Sequence, residues 1–315
     1  PSASLEGNAT AGVKTDKQKF IDNVKSNSIA CGLNEILTYS FVSPRGVDKI
    51  NLPADDEKRN FVKIMNPLGE ETSVMRTTLI PNMLDVISTN ISHKVEEVSA
   101  FECGNTFIPQ EGLPIETKKY CVGMYGKEVD FFVLKGVIES VLNNVGLKGY
   151  EIEPETTNLT FHPGRCAKIV YNNIYIGTFG ELHLDVIENY NLGQRVYVAE
   201  INIDTVFENL NLTKSYNPLP KYPSTSRDIA LIVKDEVFVK QIEDIIKANG
   251  EDLVESYKLF DVYKGAQIEE GHKSIAYSIT YRSKDKTLTY EDVAKVHENI
   301  LSELSEKLNA NLRSN

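Results

Sequence analysis

No two cysteines of this 315-residue chain stand at CxxC spacing; Cys31, Cys103, Cys121 and Cys166 lie far apart. That spacing excludes a disulfide framework or a zinc ribbon and leaves free thiols suited to a reducing compartment, so a cytoplasmic location is expected. Long apolar runs are missing too. The longest, such as Phe131 to Leu134 and Ile229 to Val233, have strand or core-helix length, far short of the roughly 18 residues of a membrane span. Basic residues are in deficit, 34 against 45 acidic, for a formal charge of −11. A generally basic nucleic-acid-binding surface is therefore excluded, although a local RNA site is compatible with an acidic protein. The chain begins at Pro1 without a basic-then-apolar leader, so it is expected to be processed or a piece of something longer.

Reaction motifs are also absent. There is no GxGxxG or GxxxxGK[ST] turn for nucleotide phosphates, no HExxH and no GxSxG elbow. Gly177-Thr178-Phe179-Gly180 lies inside a β pattern and reads as a bulge or a close backbone approach. His93, His162, His183, His272 and His297 are dispersed, so no metal site is expected. His162-Pro163-Gly164-Arg165 reads as a compact basic turn, and a functional site there is the lesser alternative. These residues describe a protein that binds rather than catalyses.

What is present is an ordinary globular composition, 41% apolar and 25% charged, which argues against wholesale disorder. Residues 1–16 read as a linker or the tail of a preceding domain. Thr15 and Gln18 then have the spacing of a capping box, opening a helix that ends at Cys31-Gly32-Leu33. A β-favouring run covers 36–42, and Pro81 suits the first turn of a helix reaching Ser92. Strands are predicted at 98–108, 118–125 and 196–203, a helix at 130–144 capped by Gly146, and a hairpin over 167–180 around Asn172-Asn173. Strands mixed with scattered helices predict an α+β module over 17–213. Pro218, Pro220 and Pro223 among polar residues mark a linker at 214–226.

Residues 227–315 predict strand 227–234, helix 238–249, strands 253–263 and 273–283, helix 290–308 and a short strand near 310–313. The order βαββαβ is the ferredoxin-like arrangement. Side chains alternate across a sheet with period two, so its faces can be read separately. Ile229, Leu231, Val233, Leu253, Tyr257, Leu259, Ile275, Tyr277, Ile279 and Tyr281 face the helices. Asp228, Ala230, Ser256, Lys258, Phe260, Ser274, Ala276, Ser278, Thr280 and Arg282 form an uncovered face suited to water or a polar ligand.

The segments KYPSTSRDIALIV (221–233), LFDVYKG (259–265) and GHKSIAYSITYRSKDKTLTYEDV (271–293) resemble the anticodon-binding domain ending the β subunit of bacterial phenylalanyl-tRNA synthetases. GLNEILTYSFV (32–42), NPLGEETSVMRTTLIPNML (66–84), FECGNTF (101–107), FHPGRCAKI (161–169) and GTFGELH (177–183) resemble the module preceding it. The resemblance implies an antiparallel-sheet, class II synthetase-like but non-catalytic module followed by the ferredoxin-like domain. It implies heterodimer contacts with a catalytic α subunit, assembly into (αβ)2, and binding of tRNA-Phe. ATP and Mg2+ are implied in the holoenzyme and none is expected to be bound by this chain. A working class II site needs phosphate-binding arginines on its second and third motifs; Phe101-Glu102-Cys103-Gly104 and Gly177 to His183 offer none. A free-standing RNA-binding or scaffold protein built from the same two domains is the alternative.

The anticodon's first base is guanine by the same resemblance, and its N1–H and N2–H₂ donors suit a carboxylate. Asp261 is the first candidate reader and Asp228 the second. Ala230 and Ala276 leave room for a base, Ser274 and Ser278 offer hydroxyls, Phe260 a stacking ring, and Lys258 and Arg282 phosphate partners. Charge is unevenly divided: 14 basic and 17 acidic residues in 219–315, against 20 and 28 in 1–218. The expected RNA reader is nearly balanced and would work by shape and base edges more than by field.

Overall fold

The computed structural model describes residues 7, 11–210, 216, 218–265 and 267–313. Most of the expected N-terminal arm, and positions 214, 215 and 217 of the expected linker, lie outside them. The chain divides into two compact units, Pro1–Thr213 and Lys214–Asn315.

The first unit opens with α1 (Asp16–Ala30), where the Thr15 hydroxyl accepts from Gln18 N at 3.2 Å and Gln18 Oε1 accepts from Thr15 N at 2.8 Å. Short strands β1 (Asn34–Glu35) and β2 (Phe41–Val42), helix α2 (Gly46–Lys49) and strand β3 (Val74–Met75) follow. Next come α3 (Ile80–Ser92), with Pro81 in its first turn, and the long hairpin β4 (Val98–Ile108) and β5 (Ile115–Tyr125). Helix α4 (Phe131–Val145) ends at Gly146, whose φ of 102° lies in the left-handed region that glycine adopts freely. Strand β6 (Glu151–Pro154) leads to β7 (Phe161–Tyr171) and β8 (Ile174–Leu182). Asn172 and Asn173, at φ 49° and 64°, form the hairpin turn between those two, since both central positions need positive φ. Helix α5 (Leu184–Asn189), strand β9 (Tyr197–Asn202) and helix α6 (Ile203–Glu208) complete the unit.

Among the described residues these strands build a seven-stranded sheet ordered β1-β4-β5-β9-β8-β7-β6, antiparallel except where β1 meets β4. Alternation gives each strand two apolar faces. Phe101, Tyr120, Val122, Phe179 and Ala199 pack beneath α1, α4 and α6. Ala100, Cys121, Tyr125, Leu182 and Val198 pack beneath α3 and α5.

One expectation changes here. The β-favouring run 36–42 is paired only at Phe41–Val42, whose partners are Met75 and Val74. Thr38 is the cause. Its side chain turns inward to donate to Glu102 Oε2 at 2.6 Å and accept from Arg76 Nη1 at 2.8 Å, so beyond Ile36, whose N–H donates to the Phe101 carbonyl, the segment is tied to β4 through side chains and not through a strand ladder. Arg76 and Glu102 meet at 2.9 Å with 3% and 1% of their side chains exposed, and Arg76 Nε also donates to the Asn105 carbonyl at 2.9 Å.

In the second unit β10 (Thr225–Lys234), α7 (Val239–Asn249), β11 (Val254–Tyr263), β12 (His272–Tyr281), α8 (Tyr290–Leu308) and β13 (Asn311–Leu312) follow the βαββαβ order. The sheet order is β11-β12-β10-β13. Ile242, Ile246, Val296, Ile300 and Leu304 cover one sheet face through Ile229, Leu231, Ile275, Tyr277 and Ile279. β10 begins at Thr225, inside the stretch read as linker.

Removing one member of a buried ion pair strands the other. Glu102→Gln is expected to cost about 3–5 kcal/mol in denaturant unfolding, and a double Arg76→Met, Glu102→Met replacement to recover most of it. A cost under about 1 kcal/mol for the single change would show that the pair is not what holds this region.

Candidate nucleic-acid interface

The face of the second sheet turned away from α7 and α8 is ruled into rows by strand register. Ser226, Thr280 and Ser256 lie across one another, then Asp228, Ser278 and Lys258, then Ala230, Ala276 and Asp261, then Ile232, Ser274 and Tyr263. Neighbours in a row of an antiparallel sheet sit about 4.5–5.5 Å apart at Cα, so each row is the width of a nucleobase. The two alanines in the third row leave a shallow bay in the middle of the face.

Asp261 reaches that bay through a backbone irregularity. Unbroken alternation from Leu259, which faces the helices opposite Tyr277, would turn Asp261 towards the helices as well. The register instead shifts between Leu259 and Asp261, so that Asp261 pairs with Ala276 and Phe260 is the extra residue. A bulge of this kind reverses the phase of everything after it. Asp261 and Tyr263 thereby join the open face and Val262 falls opposite Ile275. Phe260 is left 54% exposed beside the bay. A second shift, between Val254 and Ser256, aligns Ser256 with Thr280.

The other anticipated residues divide into free and engaged groups. Asp228, Lys258, Asp261, Ser274 and Ser278 make no side-chain hydrogen bond or ion pair among the described residues, and Ser274 is buried. Arg282 is engaged: Nε donates to Glu255 Oε1 at 2.8 Å and Nη1 to the Tyr222 carbonyl at 2.6 Å. Two residues escaped sequence reasoning. Tyr263 enters the face only because of the bulge, and the Arg313 guanidinium lies 5.7 Å from its ring while donating to Gln267 at 3.1 Å. The signal for Arg313 was its place one residue beyond β13, where its N–H donates to the Ala230 carbonyl at 2.9 Å.

The motifs of the first unit resolve into structural duties. A Cβ on Gly177 would strike the Glu200 carbonyl and one on Gly180 the Arg165 carbonyl, so both glycines permit close backbone approach. His162-Pro163-Gly164-Arg165 forms a long irregularity in β7; His162 Nδ1 accepts from Gly164 N at 3.0 Å and Arg165 donates to buried Glu181 at 2.8 Å. His183 caps α5 through Asp185 N at 3.2 Å. Burial pushes the thiols of Cys103 and Cys166 up to about 12, away from the thiolate form. Among the described residues no three His, Cys, Asp or Glu side chains gather to hold a metal, and no helix is long and apolar enough to cross a membrane.

Because Asp261 is exposed and unpartnered, Asp261→Ala is expected to change stability by no more than about 0.5 kcal/mol. Arg282→Ala, which frees Glu255 and the Tyr222 carbonyl, is expected to cost about 1 kcal/mol. Thermal unfolding of the two variants checks the contrast, and equal losses would mean the two groups are not differently engaged.

A family model described as "Phenylalanyl tRNA synthetase beta chain CLM domain" matches residues 1–203, and one described as "Ferredoxin-fold anticodon binding domain" matches residues 220–313. The phenylalanine–tRNA ligase beta subunit of Clostridium tetani is 46% identical over 303 residues, covering 95% of this chain and 38% of that protein. That of Clostridium acetobutylicum is 44% identical over 316 residues, covering 99% and 40%. That of Moorella thermoacetica is 35% identical over 322 residues, covering 98% and 40%. The chain thus spans about two fifths of the length of these curated relatives. Among solved structures, a pyrrolysyl tRNA synthetase of Desulfitobacterium hafniense superposes with a TM-score of 0.51 at 12% identity, over 61% of this chain and 66% of that one. At that identity the likeness is one of fold.

Proposed function

The chain belongs to the phenylalanine–tRNA ligase beta-subunit family, and from that premise we propose that it is the anticodon-gripping and partner-holding part of such a ligase. In this reading it supports ATP-dependent charging of tRNA-Phe with phenylalanine in the cytoplasm. It binds the tRNA anticodon with its second unit and the catalytic α subunit with its first, within an (αβ)2 assembly. The observation that carries the anticodon assignment is the aim of Asp261 into the Ala230–Ala276 bay of an otherwise uncovered sheet.

The chemistry of that bay suits a purine. A base lying over two alanines meets no side chain in its plane, and Phe260 and Tyr263 offer stacking surfaces at its edges. Asp261 accepts from the paired N–H donors of a guanine Watson–Crick edge, which cytosine and uracil do not present. Asp228 and Lys258, at the two ends of the neighbouring row, suit a ribose hydroxyl and a phosphate. Charges on the face nearly cancel, so this contact is modest by itself and gains from simultaneous attachment of the tRNA elsewhere in the assembly.

The first unit does not fit ATP and Mg2+. Where a class II active site presents an arginine on the strand corresponding to β4, this chain has Glu102 and Gly104, and the adjacent Arg76 is consumed by Glu102 in a buried pair. β8, which holds Gly177 to Gly180, runs into α5, whose first turn carries Asp185. The strand beside β5 that leads into a helix is β9, and the first turn of α6 carries Asp204, whose Oδ1 meets Lys17 at 2.8 Å. Carboxylates at these places repel a triphosphate. The unit is therefore a non-catalytic counterpart of the subunit that makes the adenylate.

Asp261→Ala is expected to weaken binding of the tRNA-Phe anticodon stem-loop about 10- to 100-fold, the loss of a paired carboxylate–guanine contact. Fluorescence anisotropy reads this directly, and unchanged affinity removes Asp261 as the reader. Phenylalanine-dependent ATP–pyrophosphate exchange by this chain alone is expected to be undetectable; exchange at a rate typical of a synthetase would overturn the non-catalytic reading.

A further inference from the structure

Two segments of the first unit that are distant in sequence, His162-Pro163-Gly164-Arg165 and Gly177 to His183, meet at one place. β7 advances from Phe161 to Cys166 while β8 moves only from Leu182 to Gly180, so the intervening residues loop out, with Pro163 and Gly164 exposed. The loop is braced. His162 Nδ1 accepts from Gly164 N at 3.0 Å, and the Arg165 carbonyl lies so near Gly180 that a Cβ there would stand 2.5 Å from it. Glycine at 180 therefore lets the Arg165 backbone lie against β8. On the other side of β8, the Val196 carbonyl accepts from Leu182 N at 2.9 Å and Tyr197 pairs with Glu181. Arg195 thus comes to Glu181 from the β9 side, and Arg165 from the β7 side.

Glu181 is 5% exposed and faces both cations. Its Oε1 accepts from Arg165 Nη1 at 2.8 Å and lies 3.7 Å from Arg195 Nε, beyond hydrogen-bonding reach. Its Oε2 is buried without a partner among the described residues. A buried carboxylate with one oxygen unmet, beside a guanidinium that has not closed on it, is an unfinished arrangement. Electrostatics supplies the reason. Two positive charges converge on one negative charge, so half of their mutual repulsion is left without an offset. The two guanidiniums are 41% and 69% exposed, and their remaining donors face solvent. An anion lying across both would accept those donors and allow Arg195 to close on the carboxylate. Planar guanidinium forks match phosphate oxygens in this way.

We infer that Arg165 and Arg195, braced by Glu181, form a second RNA contact on the first unit, which grips a phosphodiester of the tRNA backbone without reading its sequence. The inference rests on the proposed reading of this chain as a holder of tRNA. Arg195 stands in the open, which suits one phosphate of a long polyanion held at several points better than a lone ion. The open sheet of the second unit has nearly balanced charge, and this pair supplies the attraction that the sheet lacks.

The test uses the 315-residue chain and a short blunt-ended RNA duplex, which carries phosphates but no loop for the anticodon face. Fluorescence anisotropy reads the affinity over a salt series. Arg195→Ala removes only a loose contact and is expected to keep the wild-type melting temperature. It is expected to weaken duplex binding about fivefold and to reduce the slope of log Kd against log salt by about 1, the loss of one phosphate contact. Arg165→Lys keeps the charge but not the fork, so it is expected to weaken binding with the slope unchanged. Asp261→Ala is expected to leave duplex binding untouched, so the stem-loop measurement judges the anticodon reading separately. Unchanged affinity and slope in Arg195→Ala, or no duplex binding by the wild-type chain, overturn this contact and leave the anticodon reading standing. Thermal stabilisation by inorganic phosphate that Arg195→Ala abolishes, without any duplex binding, assigns a small phosphate ligand and overturns the RNA assignment. Loss of the α subunit by Arg195→Glu with duplex affinity intact assigns the arginines to a protein contact and overturns it as well.

Discussion

The Arg76–Glu102 pair is the constraint on which the first unit turns. Two charges removed from water need their remaining donors and lone pairs met, and here the Asn105 carbonyl and the Thr38 hydroxyl meet them. That requirement sets the path of the chain from Leu33 to Val42, because Thr38 must lie within reach of both ions. One buried interaction thus decides which side chains of residues 36–42 face outward.

The second unit solves a different problem with the same period-two geometry. Its covered face is continuous and apolar, so the unit's core is built without Asp228, Lys258 or Asp261. Asp228, Lys258 and Asp261 are accordingly unpaired, and are free to exchange water for a ligand without breaking an internal bond. Arg282 differs: its guanidinium ties the end of β12 to Glu255 and Tyr222, and a phosphate has to compete with that carboxylate. An uncovered face with little net field offers shape and hydrogen-bonding groups more than charge, which is what the proposed binding of a single-stranded loop requires.

How far the sequence discloses this depends on what each feature rests on. Regular elements with local signals are legible: Thr15 and Gln18 announce α1, Pro81 the first turn of α3, Gly146 the end of α4, and Asn172-Asn173 the hairpin. The strands β4 and β12 and the helix α8 follow from unbroken periodicity over ten or more residues. The run 36–42 misleads because its propensity favours a strand while a contact 64 residues away, Thr38 with Glu102, decides its pairing. The same holds for Tyr263, whose placement depends on a register shift that composition does not reveal. Short α5 and α6, six residues each, carry too little periodicity to be separated from the strands that feed them.

The bulge at Phe260 adds a residue to the open face without changing the side on which Asp261 lies. Asp261 stands one step beyond the Leu259–Tyr277 pair, opposite Ala276, whichever residue fills the insertion between them. Substitution at position 260 alters a stacking surface but keeps the carboxylate over the bay. Loss of that one codon would remove the extra residue and leave Asp261 directly after Leu259, so ordinary alternation would still set it opposite Ala276 on the open face. What the insertion adds is therefore the ring itself, 54% exposed beside the bay, and that ring can be exchanged or lost without moving the carboxylate.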